Sequence, residues 1–210
     1  MTSVQWMRRV AKPAVFLLAL VPAALLVSDT FRGELGANPV EALTHRTGFW
    51  TLTLLMITLA VTPVRRVTGL GVLVRLRRML GLFAFFYAVL HFTVYALDRS
   101  IWSGEGWGMS AIVEDVAKRP YITVGFSVFL ILCSLAATST NGWVRRLGGR
   151  RWQRLHRLVY VAGMGGVLHF LWLVKSDILR PATFGMVLVV LLGSRLIKPE
   201  RRRGSVPRPA

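Results

Sequence analysis

The chain has 210 residues and a formal net charge of +18, and 54% of its residues are hydrophobic. Its mean hydropathy of +0.53 is too high for an ordinary soluble domain. Cys133 is the only cysteine, which excludes an internal disulfide.

Six stretches contain no Lys, Arg, Asp or Glu, and they predict the membrane-spanning segments. A helix needs about 20 mainly apolar residues to cross roughly 30 Å of hydrocarbon. The shorter stretches approach that length when flanking basic side chains extend to the interface. The stretches are Pro13–Ser28, Thr47–Val64, Met79–Leu97, Pro120–Val144, Leu158–Val174 and Pro181–Ser194. The sequence therefore predicts an all-α membrane bundle of six transmembrane helices in one domain, residues 13–197, after an N-terminal segment, residues 1–12.

The first stretch follows Arg8, Arg9 and Lys12, as the apolar core of a secretory signal peptide would. Val27-Ser28-Asp29 is a poor cleavage site for a signal peptidase, so we expect the first helix to be retained. The charge distribution is compatible with either alternative. The following segment, Asp29–Arg46, contains Gly, Asn and Pro and is predicted to be a loop.

A second long connection, Asp98–Arg119, contains Trp102, Trp107 and Met109 among Gly and Ser. A short helical pattern follows at Ala111–Lys118. Amphipathic aromatic side chains near a membrane normally settle at its interface with water. A docking surface for a periplasmic partner is the more specific alternative.

The basic residues are divided unequally between alternate loops. One side has 20 of the 27 basic residues and Glu200 as its only acid, whereas the other side has 7 basic residues and 8 of the 9 acids. This asymmetry follows the positive-inside rule and predicts that both termini are cytoplasmic. Contact with anionic lipid headgroups explains the charge better than nucleic-acid binding does. The Arg- and Pro-rich residues 198–210 are predicted to form a disordered cytoplasmic tail.

Three histidines lie in or beside predicted spans, where an ionisable side chain is costly and usually functional. On the third span, Arg77 and His91 are about 21 Å apart along the axis and about 40° apart in rotation, so they share a face. On the fifth, His156 and His169 are about 19.5 Å apart and some 140° apart in rotation, which argues against a shared face on a straight helix. Glycines between these two histidines could permit a bend or the close approach of a cofactor. They are Gly163, Gly165 and Gly166.

The third and fifth spans run in the same direction, so His91 meets His169 at the non-cytoplasmic end. Two histidines at that position predict a bis-histidine site for a haem iron. The opposite end pairs His156 with Arg77. Because a guanidinium is a poor metal ligand, Arg77 is either a basic flank or the partner of a haem propionate. One haem is therefore predicted, and a second, cytoplasmic one is left undecided. The chain lacks the C-x-x-C-H motif of covalent attachment, so the haem would be of b type.

Other interpretations use the same histidines. They could be packed core residues or part of a proton path, although the shortage of intramembrane carboxylates counts against a proton-coupled transporter. A metalloreductase or quinol-oxidising cytochrome acting directly on a small substrate is another alternative. His45 lies at a helix entrance and is predicted to be interfacial.

Eight short motifs occur in order within residues 40–180. They are His45-x-Thr47-Gly48, Thr62-Pro63, Arg77-Arg78-x-Leu80-Gly81-Leu82, Tyr87-Ala88-x-Leu90-His91, Arg119-Pro120-Tyr121-x-Thr123, Thr138-Ser139-Thr140, Arg151-Trp152-Gln153-x-Leu155-His156 and His169-Phe170-Leu171-Trp172. In these motifs the chain resembles MsrQ (formerly YedZ), a family of haem-binding membrane subunits of the periplasmic methionine sulfoxide reductase system. More distantly, it is similar to the ferric reductase transmembrane domain shared with NADPH oxidases.

The resemblance implies a bacterial inner-membrane protein that passes electrons through one or two b-type haems to MsrP, a periplasmic molybdenum-cofactor enzyme that reduces methionine sulfoxide. Sulfoxide reduction itself would then occur on the partner. The implied electron donor is the quinone pool or a cytoplasmic flavin reductase, and FMN is implied by the family alone. His91, His156 and His169 correspond to the family's haem-associated histidines. Arg77 stands where NADPH oxidases lead us to expect a fourth histidine.

Overall fold

The computed structural model describes residues 2–99, 109–174 and 177–196. Every regular element within these ranges is a helix. In chain order the helices are α1 (Ser3–Arg32, with a π-helical turn at Met7–Ala11), α2 (Pro39–Thr68), α3 (Gly71–Leu97), α4 (Met109–Lys118), α5 (Pro120–Ala137), α6 (Asn141–Leu147), α7 (Gly149–His156), α8 (Leu158–Leu173) and α9 (Leu179–Leu196). The predictions for Trp102, Trp107 and the tail 198–210 lie outside the described residues.

Five helices in the described ranges, namely α1, α2, α3, α5 and α9, are long and apolar enough to cross a membrane. The fifth predicted span, Leu158–Val174, corresponds to α8, which has 16 residues and is not among these five. That is shorter than the roughly 20 residues of a typical crossing. Helix is confirmed for the other predicted spans, although the fourth ends before Val144, and for the segment Ala111–Lys118, whereas a sixth crossing stays a prediction.

The prediction of a loop over Asp29–Arg46 is wrong, because helix occupies most of that segment. At the end of α1, Gly33 adopts a left-handed φ of 69° that favours glycine. The Asn38 side chain then accepts a hydrogen bond from the Glu41 N–H, and Pro39 takes the first helical position of α2. Cap residues therefore shorten the connection to residues 33–38.

The uncharged run Pro120–Val144 is likewise not a single helix, since α5 ends at Ala137. The hydroxyls of Thr138 and Ser139 bond back to carbonyls one turn earlier. The Thr140 hydroxyl accepts from the Trp143 N–H and caps α6. Three consecutive hydroxyl residues thus end one helix and begin another.

Two antiparallel helix pairs form the centre of the bundle. Helix α2 packs along α3, α5 packs along α8, and the pairs meet through the contacts of α3 with α5 and of α2 with α8. Helix α9 packs against α2 and α8, while α1 packs against α2 and α3. Because α3 and α8 run in the same direction, their C-terminal ends lie at the same end of the bundle.

A tyrosine hydroxyl from α3 joins α1 to this centre. Tyr87 is fully buried, and its hydroxyl donates to the Ala19 carbonyl (2.7 Å) and accepts from the Ala23 N–H (3.0 Å). In a regular helix these two backbone groups bond to each other. Pro22, which has no N–H to donate, lies in the same turn of α1, and the Tyr87 hydroxyl bonds to both groups.

Tyr87→Phe is expected to lower the free energy of unfolding by about 1–3 kcal/mol, because two buried backbone groups lose their shared partner. Thermal unfolding in detergent measures the change. Tyr121→Phe is the matched control, since the Tyr121 hydroxyl accepts from Arg119 at an exposed position. Equal destabilisation by both variants would contradict the bridging role.

Candidate functional site

His91 and His169 converge at the end of the bundle where α3 and α8 finish. Their ring centroids are 6.3 Å apart and the ring planes make an angle of 80°. Two imidazoles that bind one metal ion at about 2 Å each have centroids roughly 6 Å apart. The spacing of the rings therefore suits a shared metal ion.

Backbone carbonyls orient both rings. The Nδ1 atom of His91 lies 2.9 Å from the Thr44 carbonyl oxygen, and the Nδ1 atom of His169 lies 2.7 Å from that of Tyr121. A carbonyl can only accept, so each Nδ1 carries the proton and each Nε2 presents a lone pair. This is the tautomer that a haem-ligating histidine needs, and the hydrogen bond also increases ligand basicity.

A glycine follows each of these carbonyls by one helical turn. A Cβ atom on Gly48 would lie 3.1 Å from the Nδ1 and Cε1 atoms of His91, and one on Gly125 would lie 2.7 Å from those of His169. Any larger residue at either position would push against a ring. The two histidines are thus held in equivalent ways. Thr44 and Gly48 on α2 position the His91 ring, and Tyr121 and Gly125 on α5 position the His169 ring.

A cavity of about 340 Å³ lies between the two helix pairs and includes both histidines in its wall. This volume is within the usual range for ligand pockets, about 300–1,000 Å³. Most of the wall is apolar, with Leu52, Phe129 and Gly166 among its residues. The cavity therefore suits a largely apolar ligand.

The donor set favours haem over a bare metal ion. Within the described ranges, no group of three or more His, Cys, Asp or Glu side chains is placed to hold a metal. A bare transition-metal ion generally needs about four protein or solvent ligands. Two opposed imidazoles are sufficient for haem, whose porphyrin supplies the other donors. The residues present therefore fit this cofactor.

A buried carboxylate joins three helices near the mouth of the cavity. Asp115 on α4 lies 3.0 Å from Arg99 Nε and 3.3 Å from Arg119 Nε, and its carboxylate accepts a 3.1 Å hydrogen bond from the Tyr95 hydroxyl. Asp115 is only 5% exposed. These contacts hold α4 against the ends of α3 and α5. Asp115 was not among the site residues predicted from the sequence, although its position on the apolar side of α4, after Ala111 and Ile112, was a usable signal.

Asp115→Asn is expected to lower the free energy of unfolding by roughly 1–3 kcal/mol, because two guanidinium groups lose their partly buried counterion. Amide hydrogen exchange in residues 109–118 should accelerate as α4 separates from α3. Glu114→Gln is the matched control, since Glu114 is exposed and pairs with Lys118 on the same helix. Unchanged exchange in Asp115→Asn would contradict the proposed attachment of α4.

At the opposite end, His156 has no second imidazole beside it among the described residues. Its Nε2 atom lies 3.2 Å from the Thr138 hydroxyl, and its ring stacks on Trp152 with centroids 4.0 Å apart. Burial and the nearby positive charge of Arg77 lower the pKa of His156, while Thr138 acts in the opposite direction. The charge of Arg77 thus acts on His156, but the two residues are not an equivalent of the His91–His169 pair.

The rotation of 140° predicted between His156 and His169 does not apply, because these residues lie on different helices. His156 ends α7, and the chain makes tight i→i−3 hydrogen bonds around Arg157 before α8. His45 is partly exposed and its Nε2 atom lies 3.7 Å from a Glu41 carboxylate oxygen. That position is compatible with the predicted interfacial role.

Comparison with known proteins shows which class of membrane protein this helical bundle belongs to. Residues 47–167 match the family described as ferric reductase like transmembrane component. That range contains α3 and α5 in full and most of α2 and α8, the four helices around the histidine pair. The chain is therefore a multi-pass membrane protein of the ferric reductase-like class.

Several relatives are named protein-methionine-sulfoxide reductase heme-binding subunit MsrQ. The protein from Ralstonia nicotianae is 53% identical over 191 residues, which cover 90% of this chain and 85% of the relative. The protein from Herminiimonas arsenicoxydans is 50% identical over 194 residues, with 91% and 87% covered. One from Xanthomonas campestris pv. campestris is 52% identical over 213 residues, with 95% and 94% covered. The chain belongs to the MsrQ family, as its eight motifs predicted.

Proposed function

We propose that this chain is a haem b-containing electron-transfer subunit that supplies a periplasmic methionine sulfoxide reductase with electrons. The names of its relatives support both the haem and the reductase system. The main structural support is the opposed pair His91 and His169, each oriented by a backbone carbonyl. Haem, when bound there, supplies reversible one-electron chemistry at its iron.

The protein residues have separate tasks in this proposal. His91 and His169 would hold the iron through Nε2, and the carbonyls of Thr44 and Tyr121 keep both rings in the required tautomer. The apolar wall excludes water and lowers the local dielectric, which tunes the reduction potential. Arg99 and Arg119 give the cavity mouth positive charge that suits the polar edge of the cofactor.

The direction of electron transfer follows from the proposed topology. We place a retained first helix and six spans in the bacterial inner membrane, as one domain of residues 13–197, with both termini and the basic tail 198–210 in the cytoplasm. The end with His91 and His169 then faces the periplasm, where the molybdenum-cofactor enzyme MsrP would dock. The distribution of charged residues supports this orientation.

The electron input is proposed to lie at the basic cytoplasmic end. The quinone pool and a cytoplasmic flavin reductase are the candidate donors, and FMN comes from the family resemblance alone. A second haem would use His156, with Arg77 holding a propionate. The proximity of Arg77 to His156 supports this arrangement, whereas the bond of His156 Nε2 to Thr138 would have to break.

Haem quantification and reduction of the purified protein test the proposal. We expect a b-type spectrum, and oxidation of the reduced protein when purified MsrP and methionine sulfoxide are added together. The absence of a b-type spectrum would overturn the proposal. Oxidation by a ferric chelate, with no response to MsrP and its substrate, would favour the metalloreductase alternative that the ferric reductase-like family suggests.

A further inference from the structure

Arg195, near the end of α9, extends into the bundle instead of ending in solvent. Its Nη1 atom donates to the Tyr160 hydroxyl (2.6 Å) and its Nη2 atom donates to the Leu59 carbonyl (2.8 Å). The guanidinium carbon lies 4.9 Å from the centroid of the Tyr160 ring. These partners are neutral, so they hold the guanidinium in place without cancelling its charge.

A proline explains why the Leu59 carbonyl is available. In α2 the group that would normally bond to this carbonyl is the N–H of residue 63, which is a proline and has none. Leu59 is fully buried, and an unpaired buried carbonyl is costly. Arg195 satisfies it, which fixes the guanidinium between α2, α8 and α9.

A second arginine, Arg66, makes a contact beside Arg195. Arg66 Nη1 donates to the carbonyl of Ser194, the residue next to Arg195 (3.2 Å). The charges of Arg77 and Arg66 both act on Arg195. Arg195 Nε is buried and has no hydrogen-bond partner in the part of the chain that the structure describes. Positive charge therefore accumulates between α2, α3 and α9.

No acid in the described ranges lies at this end of the bundle. All acids within the described ranges lie at the opposite end. They are Asp29, Glu34, Glu41, Asp98, Glu114, Asp115 and Asp177. A partly buried cation without a counterion is unfavourable. A bound anion would supply the missing charge, and the guanidinium geometry suits phosphate.

We propose that Arg66 and Arg195 form a binding site for the phosphate of one anionic phospholipid, in the leaflet that is cytoplasmic in the proposed topology. The neighbouring surface suits an amphiphile, because Val67 and Leu196 expose 88% and 84% of their surface beside Arg66 and Arg195. Acyl chains would cover these side chains while the phosphate meets the arginines. Basic pockets between transmembrane helices on the cytoplasmic side commonly bind anionic lipids. The site does not depend on haem binding at His91 and His169.

Thermal unfolding of the haem-loaded full-length protein in detergent tests the site. Phosphatidylglycerol is expected to raise Tm by about 2–4 °C, whereas phosphatidylcholine or inorganic phosphate at the same concentration leaves it unchanged. Arg66→Gln and Arg195→Gln should each lose most of that increase. Arg65→Gln is the matched control, with the same charge change on the same helix. Arg66 is exposed, so Arg66→Gln remains informative if Arg195→Gln fails to fold.

Three results would overturn the proposal. The first is an equal Tm increase in the native protein and in Arg66→Gln. The second is an increase with inorganic phosphate alone, which would indicate a free-anion site. The third is a native protein whose Tm does not respond to the lipid while that of Glu200→Gln does. This result would indicate that the Glu200 carboxylate of the tail already occupies the site. Haem content is measured in the same samples. A loss of haem without a change in the lipid response would count against the proposed function and not against the lipid site.

Discussion

Replacing either His91 or His169 by Ala is expected to abolish the same haem signal. The two rings lie 6.3 Å apart at the end of parallel helices, and each Nδ1 is already committed to a backbone carbonyl. In the proposed site each histidine would therefore contribute its Nε2 to one shared iron. Loss of a ligand should weaken haem binding by at least about 100-fold, since loss of an outer-shell partner alone typically costs 10–100-fold.

The measurement is haem per protein and the low-spin absorption spectrum of each purified variant. His45→Ala is the matched control, because His45 also borders the cavity but is partly exposed beside Glu41. It should retain the native spectrum. A haem that disappears in His91→Ala but is unchanged in His169→Ala would contradict the pairing.

Gly125→Ala is expected to have the second largest effect on the site. The added Cβ would lie 2.7 Å from the Nδ1 and Cε1 atoms of His169, closer than any ordinary contact. The ring must move away and lengthen its 2.7 Å bond to the Tyr121 carbonyl. We expect haem affinity to fall about 10–100-fold and the reduction potential of the remaining haem to shift.

Two other glycines provide a graded comparison. Gly48→Ala should have the same kind of effect on His91 but a smaller one, because its Cβ would lie 3.1 Å from that ring. Gly193→Ala should leave haem binding unchanged, since its Cβ would meet no atom within 4 Å apart from the neighbouring backbone of its own helix. Redox titration with haem quantification distinguishes the three variants. Equal haem binding in Gly125→Ala and Gly193→Ala would show that the ring is not held as the geometry indicates.

The sequence was sufficient for properties that depend on composition and chain direction. Uncharged stretches located the apolar helices, since transferring a charged side chain from water into hydrocarbon is costly at any position along a span. The equal direction of the third and fifth spans placed His91 and His169 at one end of the bundle. The ordered motifs identified the family. Two of them contain residues that lie against the histidines in the structure, namely Gly48 beside the His91 ring and Tyr121, whose carbonyl bonds to His169.

Local patterns were insufficient where side chains compete for backbone groups. The loop predicted over Asp29–Arg46 is mostly helical because Gly33 and Asn38 provide caps. The rotation calculated between His156 and His169 failed because it assumed one straight helix through Arg157. Each error involved hydrogen bonds at a helix end, which periodicity alone does not report.

The sequence by itself determined which residues could bind a metal and which end of the bundle they occupy. Only the tertiary structure decided what holds them there: the carbonyls of Thr44 and Tyr121, the space above Gly48 and Gly125, and the carboxylate of Asp115. These partners come from neighbouring helices, so their contacts depend on how the helices pack and not on the spacing of residues along one helix.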